Sequence, residues 1–371
     1  MSGRLAASAR ALLPNLVLAA GSVIVSLVLL EAGFRLLGGA LESEPATRRL
    51  FDVPWTTLLD CYPSNPRGYF DIDLRRPESR ARYRRLGPRR FDAIVPRNPW
   101  AVESRFNALR FRDDPLGPKP KGVKRVMVLG DSFTEGQGVK QDDIAVRVLG
   151  RLIEARAPGR AEVRSAARRA MDFPELFGIF QEIEPFEPDL VVYALVLNDA
   201  VQPPAFRARR TYVDDWILDR ANEPDLNEPS PRPLSHAFAF FEGRIDAWRL
   251  SRETTQWYLD IWSDANPGWR RTQELIVEMD RRLRQRGGRL LVATWPLLVG
   301  LEGRYPFATV HETIRRFCAS RGIPHRDLLP VLQGRPSASL WVHPIDRHPN
   351  EIAHRLAAEA LVPDVLALLG P

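Results

Sequence analysis

The stretch Val126-Met127-Val128-Leu129-Gly130-Asp131-Ser132-Phe133-Thr134-Glu135-Gly136 decides how this chain is read. Four consecutive apolar residues ended by glycine describe a strand buried on both faces, the kind that parallel sheets use. A helical pattern follows, with Ile144, Val148, Leu152 and Ile153 recurring at helical spacing and a stop near Pro158-Gly159. A strand that turns directly into a helix leaves Ser132 on a tight turn at the carboxyl end of the strand. A backbone N–H there, near a helix N-terminus, faces the place where negative charge is best tolerated.

Working downstream, the alternation continues. Ala161 to Ala166 reads as a second strand and Leu190 to Leu197 as a strongly apolar one. Leu275, Met279 and Leu283 form a helical stripe that stops at Gly287-Gly288. Leu290 to Trp295 is the next strand, and Pro296 ends it. Val310, Ile314 and Phe317 mark another helix, Ile323 to Leu328 a short last strand, and Ile352, Leu356 and Ala360 the start of a closing helix. This β-α order predicts a parallel sheet covered by helices on both faces. Ligands of such sheets sit at the carboxyl ends of the strands. Residues 200–268 interrupt the alternation with Trp216, Trp248, Trp257, Trp262, Phe238, Phe240 and Phe241. These aromatics either form a small core of the insertion's own or wall an acyl or sugar site beside the strand ends.

Upstream, Ala11 to Leu30 carries no charge and is long enough as a helix to cross a bilayer. Arg4 and Arg10 precede it and favour a cytoplasmic N-terminus. The expected organisation is an uncleaved anchor over residues 1–37, a Pro/Arg-rich linker and irregular packed segment over 38–120, and the α/β domain over 121–371. A cleaved signal peptide is the alternative for the first segment. Either way the bulk of the chain is expected outside the cytoplasm. Phe91 to Val95 reads as a short edge strand.

The chain has 371 residues and a net charge of +7, carried almost entirely by arginine. No nucleic-acid module accompanies this charge, so nucleic acid is not an expected partner; anionic headgroups or an acidic glycan fit better. Two cysteines, Cys61 and Cys318, lie far apart and in no metal spacing. Cys318 falls in a helical apolar pattern and reads as a small core residue; the sequence leaves a disulfide between the two open.

Two further motifs carry chemistry. Asn198-Asp199 ends the strand from Leu190, and an asparagine amide can donate to an oxyanion. Near the C-terminal end runs His343-Pro344-Ile345-Asp346-Arg347-His348-Pro349-Asn350. A serine hydroxyl is a poor nucleophile without a base to take its proton. His348 can be that base, and Asp346 can fix its tautomer and stabilise the imidazolium. Three of the six histidines, His343, His348 and His354, gather at this one helix start. No second ligand cluster turns them into a metal site.

In the order Ser132, Asn198, Asp346/His348, these motifs resemble the SGNH/GDSL hydrolase family. Gly130 to Gly138 is similar to its first block, Asn198-Asp199 to its third and Asp346 to Asn350 to its last. Phe106-Asn107-Ala108-Leu109-Arg110-Phe111-Arg112 is similar to a lead-in segment of anchored bacterial members. The resemblance implies a flavodoxin-like three-layer α/β/α sandwich on a five-stranded parallel sheet. It implies serine-dependent hydrolysis or transfer of an ester-linked acyl group, with no metal or organic cofactor. The family's second block has a glycine whose N–H helps bind the oxyanion; Ser165 to Ala170 has none, which leaves the N–H of Ala167 or Ala170 for that role. Val196 stands where the third block has glycine. The single residue between Asp346 and His348 resembles a subgroup that includes periplasmic polysaccharide acetylation proteins. The implied partners are an acyl ester substrate, with polysaccharide among the candidates, the inner membrane through a single-pass N-terminal helix, and a membrane acyltransferase. The alternative is a non-catalytic glycan-binding or assembly protein that retains the fold.

Overall fold

A computed structural model of the chain describes residues 2–41, 71–72, 102–169, 171–200, 235–343 and 346–370. The expected edge strand at Phe91 to Val95, Cys61 and Trp216 lie outside the described residues. The chain divides into two compact units: residues 1–52 with 228–253, and residues 53–227 with 254–371.

In the first unit, helix Ser2–Leu41 contains an apolar span, Val17–Leu36, of mean hydropathy 2.2 with none of it buried. Among the described residues it is the one helix long and apolar enough to cross a membrane. Glu31 lies in its last turns and pairs with Arg35 at 2.6 Å. The same carboxylate receives Ser235 Oγ at 2.8 Å and the N–H groups of His236 and Ala237 at 3.0 Å each. Ser235 Oγ also accepts from Phe238 N at 3.1 Å. The opening N–H groups of helix His236–Ile261 have no partner within their own helix. Two side chains 204 residues apart in sequence supply them.

The second unit is built on a parallel sheet. Two short strands, β1 (Asp71–Ile72) and β2 (Val102–Glu103), form a separate parallel pair. The main strands are β3 (Lys124–Gly130), β4 (Ala161–Ala167), β5 (Leu190–Leu195), β6 (Arg289–Thr294) and β7 (His325–Asp327). They lie in the order β4-β3-β5-β6-β7, all parallel. The chain starts its sheet at β3, steps outward to β4, then returns past β3 and runs the other way. This is the flavodoxin-like order, with its switch point between β3 and β5. Every residue of β5 is buried, as a central strand covered on both faces requires.

Helix Ala145–Arg156 packs against the closing helix Glu351–Leu368, and helix Glu175–Ile183 against helix Pro267–Gln285. Crossovers between parallel strands are right-handed, so the reversal after β4 sends these two pairs to opposite faces of the sheet. Trp269 and Phe317 meet edge-on at 5.4 Å, which sets helix Ala308–Ser320 beside Pro267–Gln285. Strand β7 is shorter than the expected strand Ile323 to Leu328. Pro324 precedes it and has no N–H to give a ladder, although its carbonyl still accepts from Val292 N at 2.9 Å.

Among the described aromatics of the interrupting segment, two join the main core. Trp257 and Trp262 are 6% and 2% exposed and belong to the main core. Trp262 packs at a tilt against Trp269, ring centroids 4.8 Å apart, and its Nε1 donates to Leu197 O at 2.7 Å. Cys318 is a buried free thiol whose pKa burial pushes up to about 12, as befits a core residue.

Candidate active site

Strand β3 ends at Gly130 because nothing larger fits. A Cβ there would run into the Thr134 side chain and lie 3.1 Å from Ala194 O on β5. Ser132 opens a four-residue helix, Ser132–Glu135, capped by Asp131, whose Oδ1 accepts from Phe133 N at 2.9 Å. Gly136 closes it at φ 77°, the left-handed region that glycine occupies at little cost, and Ile144 leaves no room for a side chain there.

Two contacts lock this turn from outside. Arg112 is fully buried; its guanidinium donates to Gly136 O at 2.5 Å, Val139 O at 2.6 Å and Glu135 O at 3.3 Å. Glu135, 3% exposed, accepts from Arg169 N at 3.0 Å and from Arg169 Nε at 2.7 Å. The turn is thereby tied to the segment before β3 and to the segment after β4. Asn107 shapes the first of these, accepting from Leu109 N and Phe111 N at 3.0 and 3.1 Å.

His348 arrives from the other end of the chain. Two short antiparallel strands, β8 (Trp341–His343) and β9 (Asp346–Pro349), carry it. Its Nε2 lies 2.9 Å from Ser132 Oγ. The imidazole rests 5.5 Å from the Phe133 ring, and Phe133 meets Trp295 edge-on at 5.9 Å. Behind β9, Asn350 fixes the chain. Its Oδ1 accepts from Ile352 N and Ala353 N at 3.0 and 3.2 Å, while its Nδ2 donates to Ser339 O and Trp341 O at 2.8 and 3.2 Å. Asp346 opens β9, but its side chain and that of His343 lie outside the described residues, as does Ala170.

Asn198 follows β5, across the switch point from Ser132. Its Nδ2 faces Asp131 Oδ2 at 3.4 Å, beside the serine turn. Asp199 is fully buried and organises the bend, accepting from Tyr193 Oη at 2.8 Å and Val196 N at 2.9 Å. Burial, with the neighbouring charge of Asp131, pushes its carboxyl well above the usual carboxylate range. Burial likewise raises the Tyr193 phenol. Ala167, also fully buried, ends β4 in register with Gly130. The N–H groups of Arg168 and Arg169 are turned to Gly130 O and Glu135.

Of the three histidines near the closing helix, His354 has a packing role. It is fully buried, its Nδ1 accepts from Ala145 N at 3.1 Å, and its ring meets Trp295 edge-on at 5.9 Å. Burial lowers its pKa to about 3, so it is neutral. The sequence reading named Ser132, Asn198 and His348 but not the Arg112 clamp or the Glu135–Arg169 pair. Both lie within quoted motifs, yet a contact between residues 23 or 34 apart leaves no local pattern.

The model of the GDSL-like lipase/acylhydrolase family matches residues 128–356, which takes in Ser132, Asn198 and His348. No protein of curated function matches the chain by sequence. Among solved structures it is similar to TesA at 15% identity, covering 66% of this chain and 99% of that one with a TM-score of 0.41. It is similar to a lipase/acylhydrolase from Enterococcus faecalis at 13% identity, covering 66% and 96% with a TM-score of 0.40. A third is the esterase EstA from Pseudoalteromonas sp., at 12% identity, covering 67% and 100% with a TM-score of 0.40. With more than half of its length matched by the family model, the chain belongs to the GDSL-like lipase/acylhydrolase family and carries that family's ester-hydrolase fold.

Proposed function

We propose that this protein is a membrane-anchored serine esterase or O-acyltransferase that works through Ser132, His348 and Asp346. The observation that carries the reading is the 2.9 Å approach of His348 Nε2 to Ser132 Oγ across 216 residues of sequence. That distance lets the imidazole take the hydroxyl proton as the oxygen attacks an ester carbonyl. The tetrahedral oxyanion is held by Ser132 N–H and Asn198 Nδ2; the N–H of Ala167 is turned, like that of Ser165 two residues earlier, to the outer edge of β4. An amide carries two N–H donors, so Asn198 can face Asp131 and an oxyanion together. Collapse expels the alcohol, which receives its proton from His348 and leaves an acyl-serine. A second nucleophile, deprotonated by His348, then releases the acyl group. Water as that nucleophile gives a free acid; a sugar hydroxyl gives a transferred ester. Asp346 stands two positions before His348 on β9, close enough along the chain to orient the imidazole. No metal or organic cofactor enters this scheme. A glycan-binding protein without catalysis would have no use for a serine and an imidazole in hydrogen-bond contact.

The same proposal keeps Val17–Leu36 as an uncleaved single-pass anchor in the inner membrane, with the α/β domain outside the cytoplasm. Glu31 supports retention: removing the segment would strip the N–H groups of His236 and Ala237 of their acceptor. The acyl ester is proposed to sit on a glycan or lipid, with a membrane acyltransferase as a partner that supplies acyl groups.

The test is turnover of a chromogenic acetyl ester by the full chain and by Ser132→Ala, with and without an oligosaccharide acceptor. Loss of turnover in the variant is expected. Full turnover by Ser132→Ala would overturn the catalytic reading. If free acetate is the product under every condition, the transferase branch falls and hydrolysis stands.

A further inference from the structure

Among the described residues, exposed large apolar side chains occur in two places. One is the span Val17–Leu36; the other is the first part of helix His236–Ile261, with Phe238, Phe241, Ile245 and Trp248 exposed by 66, 49, 53 and 62%. On a helix of about 100° per residue, these four positions fall within an arc of roughly 80°. Arg252, the next position along the same face, lies with its guanidinium 5.6 Å from the Trp248 ring. A contiguous apolar face that ends in a cation is unlike the scattered exposed residues of an ordinary surface.

What this face meets follows from where its helix starts. Within this unit, Ser235, His236 and Ala237 are bound to Glu31, five residues before the end of the apolar span. One turn further on, Phe241 meets Phe34 edge-on at 5.8 Å. The two helices therefore run side by side where the span leaves the hydrocarbon, and the stripe begins at that level. From Phe238 to Trp248 it extends roughly 15 Å along its axis, comparable to the headgroup zone plus the upper acyl region on one side of a bilayer. Tryptophan favours that zone, phenylalanine and isoleucine can bury in its acyl side, and an arginine at the far end of the stripe can reach lipid phosphates.

We propose that the Phe238–Trp248 face is a lipid-contact surface seated at the headgroup–acyl boundary beside the emerging anchor. This inference rests on the anchor reading, and the experiment separates the two. In full-length protein with Cys61 and Cys318 replaced by serine, cysteines are introduced singly as Phe238→Cys, Ile245→Cys and Trp248→Cys. Each is labelled with an environment-sensitive fluorophore in phosphatidylethanolamine/phosphatidylglycerol vesicles. Leu27→Cys reports the span, and Glu274→Cys, on an exposed part of helix Pro267–Gln285, reports water. Labels on the stripe are expected to be quenched several-fold more by doxyl groups near the headgroup than by doxyl groups deep in the chains, and to resist aqueous iodide. If Leu27→Cys is quenched by deep doxyl lipid while the stripe labels respond to iodide alone, the anchor stands and the lipid-contact surface is refuted. If neither quencher reaches the stripe and cross-linking captures a second copy or another protein, the face is a protein interface and the proposal is refuted. If Leu27→Cys is itself open to iodide, the anchor reading fails and the inference falls with it.

Discussion

Replacing Asn350 with alanine removes four hydrogen bonds at the point where the His348 strand enters the closing helix. Two are helix-capping bonds, to Ile352 N and Ala353 N; two hold the carbonyls of Ser339 and Trp341. Loss of an asparagine cap costs about 1 kcal/mol. Asn350 is fully buried, so water does not replace its amide, and each abandoned carbonyl costs about 1 kcal/mol more. The sum is about 3 kcal/mol, which for a domain of this size lowers Tm by roughly 5–10 °C. Asn350→Asp keeps the acceptor that caps the helix but turns a buried carboxylate oxygen onto the Ser339 and Trp341 carbonyls, so it too should melt well below wild type. Thermal unfolding of the full chain in detergent, followed by near-UV circular dichroism, reads the difference. Because His348 stands two residues away, ester turnover should fall in both variants below the melting range. An Asn350→Ala protein that melts with wild type would refute the assignment of Asn350 as the clamp behind His348.

Asn198→Ala, which removes a proposed oxyanion donor, should lower kcat by about 10²–10³ with little change in KM; unchanged kcat would remove Asn198 from the mechanism. His354→Gln tests the buried neutral histidine. Its folded pKa of about 3 lies below the ordinary 6.5, so the unfolded chain takes up the proton first and stability falls as pH drops through 6.5 toward 3. Between pH 7 and pH 5 wild type should lose about 2 kcal/mol relative to His354→Gln in urea unfolding. Asp199, whose carboxyl is raised, favours the folded state as pH falls, and taking the difference between the two proteins cancels it. Parallel pH profiles would refute the burial of a neutral imidazole.

Strands β3, β5 and β6 were legible because each is a dense apolar run ended by glycine, proline or a polar turn, whereas β4 and β7 were read from their places in the alternation and the sheet order from the family resemblance. Leu190 to Leu197 is the clearest case, and β5 is buried along its whole length. The Gly130-Asp131-Ser132 turn was legible because strand, turn and helix follow without a gap. The meeting of Ser132 with His348 was an inference from residue chemistry, since 216 residues separate them. What stayed hidden depends on packing between distant segments. Arg112 reads in sequence as one more arginine among many; only the fold shows it buried under the serine loop. Glu31 reads in sequence as the first charge after an apolar run, and Ser235, His236 and Ala237, which it binds, lie more than 200 residues away. The hairpin of β8 and β9 is too short, at three and four residues, for any periodicity to show. The aromatics of the interrupting segment divide by fate, with Trp257 and Trp262 in the core and Trp248 exposed, because an aromatic residue in sequence does not say which side of its helix meets protein.

The whole catalytic reading rests on His348 making Ser132 nucleophilic. The rate of fluorophosphonate modification, located by peptide mass spectrometry in wild type, Ser132→Ala and His348→Ala, addresses this without any knowledge of the natural substrate. Wild type should be modified at Ser132 alone, Ser132→Ala not at all, and His348→Ala orders of magnitude more slowly while remaining folded. Folded wild-type protein that resists the reagent, or a His348→Ala variant modified at the wild-type rate, would contradict it.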